Sequence, residues 1–387
     1  MTGSVVIGGA LAQKPFQAGH TWQFLQYLLG FRKLGWNVLF LDRLDEGMCV
    51  DGTGRPVPPD RSRNVAYFVS VMDAFGLDGA YSLALDGNGR RIGRSREAVL
   101  EDCSSADFLL NVMGYVTDEE ILAAVRRRVF LDTDPGFGQM WEDLGLADLL
   151  SGHDDFVTIA ENIHEPGCAI PDCGRNWIAW RQPIVLDEWP AATTPPQRGF
   201  TSIGSWRGPY APIEHQGRTY GLRVHEFRKF MELPRRVEEP FEVALDIHAA
   251  ETADLERLRE EGWKLVDPAV VARDPWAYRA YIQGSRAEFM ATKGIYVHTG
   301  SGWFSERSIC YLASGRPVLA QDTHLGDLYP IGEGLLAFST LEDAVEGARA
   351  ISADYGRHSR AARQIAEAHF ASEKVIPRLL ESLEARS

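Results

Sequence analysis

Strand and helix patterns alternate along the whole chain, and a proline-rich segment at 189–198, WPAATTPPQR, divides the alternation almost in half. In the first half an apolar run at 5–7 ends in two glycines, and a helical pattern at 21–34 leads to a second apolar run at 37–41. The same reasoning predicts strands at 82–85, 108–112, 129–132 and 156–160, and helices near 63–75, 118–127 and 138–144. Such alternation is typical of a parallel sheet covered by helices on both faces.

The second half repeats this architecture. Strands are predicted at 200–204, 241–247 and 263–266, and helices at 222–232, 252–261 and 275–283. A strand at 295–297, a Gly/Ser turn at 299–302, a helix from about Trp303 and a strand at 317–320 follow, and the chain after Phe338 reads as helical. Because 387 residues exceed one ordinary core, we expect two doubly wound α/β domains, at 1–190 and 198–365, and a helix at 366–387 that packs back towards the first.

Charge and cysteine usage exclude several classes of protein. A formal charge of −14 argues against nucleic-acid partners and anionic membranes, which both need a basic surface. No apolar run reaches the roughly 18 residues of a membrane span, so no integral membrane segment is expected and the predicted location is cytoplasmic. Five scattered cysteines fit a reducing compartment, and the spacing of His164, Cys168 and Cys173 matches no standard zinc site.

Two turns of the second half have the composition of an anion site. Gly204 and Ser205 follow its first predicted strand, and the turn at 299–302 precedes a predicted helix. Small residues let the backbone approach a ligand closely, and the unpaired N–H groups of a helix start favour phosphate. A phosphate or diphosphate is therefore the ligand that this pattern favours.

Three segments, GSWRG at 204–208, the block at 298–322 and EGLLAFSTLEDAVEGARAI at 333–351, resemble those of bacterial GT-B nucleotide-sugar glycosyltransferases of the broad group-1 kind. The resemblance implies two Rossmann-like domains that face each other across a cleft. It further implies that the second domain binds a nucleotide sugar and the first an acceptor hydroxyl. No cofactor or metal is implied, because fixed cations stabilise the departing nucleoside diphosphate.

The resemblance also implies a set of donor-binding residues: Gly204, Ser205, Arg207, His298, Ser301, Gly302, Ser305 and Glu306. Arg207 is expected to neutralise charge on the departing diphosphate. The carboxylate that usually contacts ribose would stand at about Cys310, whereas the acid of this chain, Glu306, lies roughly one turn earlier. Two roles for Glu306 stay open, a ribose contact and an acid that favours the helix start.

Catalysis is expected from the first domain. His20 lies at the start of the first helix, where inverting members of the resembled group place a histidine base. A neutral imidazole can take a hydroxyl proton near pH 7. The partner expected to orient it is Asp132 or Asp134, at the end of a strand that reaches the same crevice.

Two other functions remain open from the sequence. A nucleotide-sugar epimerase uses the same fold, and a hinged pair of α/β domains also suits a non-catalytic small-molecule binder. A dehydrogenase is disfavoured, because the residues after Gly8 and Gly9 lack the G-x-G-x-x-G pattern. The acceptor, the sugar, the base and the stereochemical course stay undetermined.

Overall fold

A computed structural model describes residues 3–86 and 89–386 of the chain, so the predicted limits at residues 1 and 387 lie outside the described residues. The first domain is built on an eight-stranded sheet of order β4-β3-β2-β1-β5-β6-β7-β8. Every pairing is parallel except β3 with β4. Its strands are β1 (Ser4–Gly8), β2 (Asn37–Asp45), β3 (Tyr81–Asp86), β4 (Arg90–Gly93), β5 (Phe108–Val112), β6 (Arg128–Asp132), β7 (Asp155–Thr158) and β8 (Trp177–Ala179).

Five helices cover this sheet: α1 (Ala18–Lys33), α2 (Arg63–Ala74), α3 (Arg96–Ser105), α4 (Glu119–Ala124) and α5 (Phe137–Asp143). Side-chain caps define several of their starts. Ser62 accepts a hydrogen bond from the backbone N–H of Val65 at the start of α2, and Asp118 does so from Ile121 at the start of α4. The first helix, α1, is longer than predicted, and the second strand, β2, continues to Asp45 because it pairs with β3 over that length.

The second domain is built on a six-stranded sheet of order β13-β12-β9-β14-β15-β16, parallel throughout. A separate antiparallel hairpin, β10 with β11, follows its first strand. The strands are β9 (Phe200–Ser205), β10 (Ile213–His215), β11 (Arg218–Tyr220), β12 (Phe241–Asp246), β13 (Lys264–Val266), β14 (Ala287–Met290), β15 (Val318–Gln321) and β16 (Leu335–Phe338). The expectation of two doubly wound α/β domains is confirmed.

The helices of the second half include several short ones. They are α6 (Arg223–Phe227), α7 (Leu233–Arg236), α8 (Thr252–Glu260), α9 (Pro268–Val271), α10 (Pro275–Gly284), α11 (Gly294–His298), α12 (Glu306–Ala313), α13 (Leu341–Ala353), α14 (Tyr355–Ile365) and α15 (Ser372–Glu384). The helix predicted at 222–232 is therefore only five residues of α6, continued by a 3₁₀ turn at Arg228–Phe230.

The strand predicted at 295–297 is wrong. Those residues belong to the short helix α11, and the central strand is β14, which the prediction missed. The acid Glu288 interrupts the apolar run of β14, yet its side chain is fully buried and pairs with Arg307. Local β propensity therefore failed to predict both segments, the strand β14 and the helix α11. The following helix, α12, begins at Glu306 rather than near Trp303.

The proline-rich connection is packed rather than free. Trp189 is fully buried, with its ring 4.9 Å from that of Trp22 in α1 and 6.2 Å from that of Tyr278 in α10. The backbone N–H of Ala192 donates to the Ser314 carbonyl, and Arg316 donates to the Thr194 carbonyl. The connection therefore contacts the first domain through Trp189 and the second domain at several points, Trp189, Ala192 and Thr194.

The C-terminal segment returns to the first domain. The backbone of Ile184 exchanges hydrogen bonds with Phe370 and Ser372, and the Trp180 indole donates to the Val375 carbonyl at 3.0 Å. Gly30 of α1 lies so close to α15 that an added Cβ would stand 2.7 Å from Ile376 Cδ1. Across residues 3–86 and 89–386, no helix combines the length and the apolar character that a membrane crossing requires.

We expect Trp189→Ala to lower the free energy of unfolding by about 3–5 kcal/mol, because it leaves a cavity between α1 and α10. Urea denaturation followed by circular dichroism would measure the loss. Trp276→Ala is the matched control. Its ring is 45% exposed and stacks only on Phe75, so a loss of about 1 kcal/mol is expected. Equal losses for the two variants would contradict a structural role for the connection.

Candidate functional site

A cavity of about 630 Å³ lies between the two domains, at the carboxyl ends of their parallel strands. The first domain contributes the loop after β1 and the start of α1, including His20. The second contributes the end of β9 and the start of α12, including Gly204, Ser205, Ser305 and Glu306. Five of the residues predicted for the site thus share one cleft.

An arginine that the sequence analysis did not identify, Arg223, lies against the end of β9. Arg223 is the first residue of α6, and an added Cβ on Gly204 would stand only 1.6 Å from its Nη1. The guanidinium therefore lies directly against the glycine. Its Nε is closed off from solvent and has no hydrogen-bond partner among the described residues. Burial, reinforced by the charge of Arg307, lowers the pKa of Arg223 to about 10.

A second guanidinium flanks the same strand end. Arg307 donates from Nε to Glu288 at 2.5 Å and from Nη1 to the Ile203 carbonyl at 2.7 Å. Its Nη2 is buried and has no acceptor among the described residues. Because Glu288 is fully buried and pairs with Arg307, the Arg307 side chain is held in place, whereas Arg223 forms no ion pair within the described residues.

Glu306 stands at the first position of α12, with Ser305 as the residue before the helix. Its carboxylate accepts a hydrogen bond from Cys310 Sγ at 2.9 Å, so it reaches forward along the helix to the position where the resembled group has its acid. Burial raises the pKa of Glu306 to about 7, opposed by the Cys310 hydrogen bond and by Arg307. The carboxyl group lines the cleft while Cys310 is fully buried behind it.

His20 faces the cleft from α1. Its Nε2 lies 3.0 Å from the Ala10 carbonyl, and the edge of its ring meets Phe24. Since a carbonyl only accepts, Nε2 carries the proton in this arrangement and Nδ1 keeps a free lone pair. Burial, together with the charge of Lys14, lowers the pKa of His20 to about 3, so the ring is neutral at ordinary pH.

Neither aspartate expected to orient His20 hydrogen-bonds it. Asp132 is buried and accepts from Gln139 and from Thr158, and burial raises its pKa to about 6. Asp134 pairs with Lys293 of the second domain at 2.6 Å and accepts from the Tyr296 hydroxyl. The Ala10 carbonyl orients His20 instead, while Asp134 connects the two domains.

Four predicted donor residues lie outside the lining of this cavity, and three of them, His298, Ser301 and Gly302, contact other groups of the protein. His298 contacts Glu226 at 3.1 Å, and Ser301 bonds the Tyr296 carbonyl. The N–H of Gly302 donates to the Thr323 carbonyl, and Asn162 of the first domain donates to the Ser301 and Gly300 carbonyls. The turn at 299–302 is thus occupied by contacts between the domains.

Arg207 lies on the rim. It pairs with Glu251, and its side chain is 47% exposed. It lines a second cavity of about 360 Å³ that adjoins the main one through Gln17, Ser205 and Asp246 and that also includes Lys14. The cation nearest to Gly204 is therefore Arg223. The hairpin β10–β11 separates Arg223 from Gly204 along the chain, so no local spacing could have indicated their contact.

Within the described part of the chain, no group of three or more histidine, cysteine or acidic side chains gathers as a metal site. His164 Nε2 contacts the Trp177 carbonyl, and Cys173 Sγ the Gln139 carbonyl. His164 and Cys173, two of the three residues considered for zinc, thus contact different backbone carbonyls.

No protein-family model matches this chain, and no curated protein matches it by sequence. Solved structures do match its fold. One is an alpha-glucosyltransferase in complex with UDP-glucose and DNA containing an abasic site, with 11% identity, 99% coverage of both chains and a TM-score of 0.58. Another is Anabaena Alr3699/HepE in complex with UDP-glucose, with 10% identity, 99% and 100% coverage and a TM-score of 0.57.

AviGT4, a glycosyltransferase involved in Avilamycin A biosynthesis, matches at 11% identity with a TM-score of 0.55, over 98% of this chain and 96% of its own. All three similarities extend over nearly the whole length of both chains. The chain therefore has the GT-B fold of two Rossmann-like domains facing across a cleft, as the sequence predicted.

We expect the imidazole signals of His20 in ¹H–¹⁵N spectra to stay those of the neutral ring with Nε2 protonated between about pH 5 and pH 8. The pKa of His20 is lowered from 6.5 to about 3, so the unfolded chain takes up the proton first and His20 reduces stability as pH falls below 6.5. His20→Gln identifies the signals and should make thermal unfolding less sensitive to acid. Titration of His20 near pH 6.5 would contradict this environment.

Proposed function

We propose that this protein is a glycosyltransferase that moves a sugar from a nucleoside diphosphate sugar to an acceptor hydroxyl without a metal ion. The observation that carries the proposal is the pair of guanidinium groups, Arg223 and Arg307, at the end of β9 beside the start of α12. Both have a nitrogen without an acceptor among the described residues; Arg307 lines the cleft and Arg223 lies against Gly204 in its wall, in the fold seen in two UDP-glucose complexes.

The diphosphate of the donor would lie against Gly204, between Arg223 and the start of α12. The backbone N–H groups of the first turn of α12 favour an anion there, and the free Nη2 of Arg307 adds a charged donor. As the bond from the sugar to the diphosphate breaks, these fixed charges would stabilise the leaving group. We therefore propose Arg223 in the role that the sequence predicted for Arg207.

We propose that Glu306 contacts the ribose hydroxyls. Glu306 lines the cleft and its carboxylate reaches forward to Cys310, which compensates for the acid being one turn early in the helix. The nucleoside half of the donor would then lie along the second domain, residues 198–365, towards Asp246 and Asp267, which also line the cavity. The acceptor would enter from the first domain, residues 1–190.

His20 is proposed as the base of an inverting transfer. The Nδ1 lone pair would take the proton of the acceptor hydroxyl as its oxygen attacks the anomeric carbon. An imidazole with a pKa of about 3 is a weak base, but the negative charges of a bound donor raise the pKa of a neighbouring histidine. Binding of the donor would thus make His20 a stronger base.

Nucleotide binding tests the donor site directly. Calorimetry with UDP, TDP and GDP should show binding of at least one, and a nucleotide at 100 times its dissociation constant should stabilise the fold by about 2.7 kcal/mol. Gly204→Ala should weaken that binding by at least about tenfold, because the added methyl group displaces Arg223. Gly326→Ala, which adds a methyl group where no atom lies within 4 Å, is the matched control.

Absence of binding by every nucleoside diphosphate would overturn the proposal. Equal nucleotide affinity of Gly204→Ala and Gly326→Ala would exclude Arg223 as a donor-binding residue. Measurements of sugar transfer would then test the general function. Release of nucleotide without any sugar acceptor would instead indicate the epimerase or hydrolytic chemistry of the same fold.

The base is tested separately. His20→Ala should lower the rate of sugar transfer by at least about a hundredfold, the typical contribution of general base catalysis, while the nucleotide affinity stays within about twofold. The anomeric configuration of the product, read by NMR, should be inverted. A retained configuration, or an unchanged rate in His20→Ala, would exclude this role.

A further inference from the structure

The first-domain wall of the cleft is basic in a chain whose formal charge is −14. The ionisable residues that line the two adjoining cavities from this side are Lys14, His20 and Arg63. The acids that line the main cavity, Asp246, Asp267 and Glu306, all belong to the second-domain wall. The ionisable residues of the first-domain wall are therefore basic, and the acids of the main cavity lie on the second-domain wall.

Arg63, on this wall, pairs with no carboxylate among the described residues. Its side chain has no hydrogen bond or ion pair within the described residues, and its Nε has no contact with solvent. The guanidinium carbon lies 4.1 Å from the centre of the Phe16 ring, which holds it against the cavity. By contrast, Arg96, Arg181 and Arg228 each pair with a carboxylate.

The loop that carries the wall is rigidly built. Phe16 has a φ of 64°, a strained conformation for an aromatic residue, and its ring also meets Tyr67. The backbone N–H of Arg63 donates to the Val50 carbonyl at 2.8 Å, and Asn64 donates to the Ala12 carbonyl at 3.0 Å. Strain and cross-loop bonds together place the Phe16–Arg63 stack at the cleft before any ligand arrives.

Lys14 adds a second cation on the first-domain side, in the smaller cavity that adjoins the main one. Among the described contacts its ammonium has no hydrogen-bonded acceptor, and it lines the adjoining cavity with Gln17 and Ser205. Burial lowers its pKa, while Asp134 opposes that change. Both cations are partly buried, and partial burial of a charge costs free energy unless an anion binds to it.

We propose that the Phe16–Arg63 stack and Lys14 form a subsite for a carboxylate or phosphate group of a substrate, separate from the donor diphosphate. This rests on the proposed function, because it assumes that Arg223 and Arg307 on the opposite wall take the diphosphate. The anionic group belongs either to an acidic acceptor or to an acidic sugar on the donor. A planar guanidinium suits both groups, since it can donate two parallel hydrogen bonds.

Calorimetry on the full chain separates the two sources. The donor arm compares UDP-glucuronate with UDP-glucose. The acceptor arm compares glucuronate and glucose 6-phosphate with glucose, in the presence of saturating UDP. The wild-type protein should bind the acidic member of at least one pair about tenfold more tightly or better.

Arg63→Gln should abolish that preference while the affinity for UDP stays within about twofold, and Arg63→Lys should retain part of it. The matched control is Arg61→Gln, which removes the same charge from an exposed residue two positions earlier. It should leave both the preference and the UDP affinity unchanged. A thermal scan of each variant confirms folding.

Three results would overturn the subsite. One is UDP binding with no acid preference in either arm, and another is an acid preference that survives Arg63→Gln. The third is a loss of UDP affinity in Arg63→Gln of about tenfold, which would place Arg63 in the donor site. Failure of the wild-type protein to bind any nucleoside diphosphate would instead overturn the proposed function, so the two failures are distinct.

Discussion

The ion pair between Arg307 and Glu288 is the contact on which the cleft depends. Glu288 lies fully buried on β14, next to β9 in the sheet, and Arg307 joins it to the Ile203 carbonyl. The pair thereby fixes the start of α12 against the end of β9. Breaking a buried pair by removing one partner typically costs 3–5 kcal/mol, about as much as a large core truncation. The same pair leaves one guanidinium nitrogen free at the cavity, so a structural contact and a binding group share one side chain.

Contacts between the domains set the two walls of the cleft opposite each other. Asp134 pairs with Lys293, Asn162 holds the turn at 299–302, and the N–H of Ala18 donates to the Ala272 carbonyl. On the far side, His215 of the hairpin β10–β11 meets Asp143 of α5 at 2.8 Å. Two of these contacts, those of Asp134 and of the turn at 299–302, use residues that the sequence pattern assigned to chemistry.

Much of the architecture was predictable because local patterns carry it. Buried parallel strands are short apolar runs, and β5 occurs at the predicted residues, 108–112. Of the residues predicted for the site, Gly204 and Ser205 at the end of β9 line the cleft, because the ends of parallel strands meet at one edge of a sheet. Prediction failed where burial of a charge broke the pattern. Glu288 interrupts the apolar run of β14, and the apolar run at 295–297 belongs to the helix α11.

The sequence by itself determined the alternation of strands and helices, the division into two domains and the small residues at the mouth of the second sheet. Each follows from periodicity or from backbone geometry within a few neighbouring residues. Only the tertiary structure decided which cations lie at the cavity or against its wall. Arg223 reaches Gly204 across the hairpin β10–β11, and Arg63 at the start of α2 stacks on Phe16 in the loop before α1. Charge pairing is a contact between side chains distant in sequence, so which arginines have a partner depends on the fold rather than on spacing along the chain.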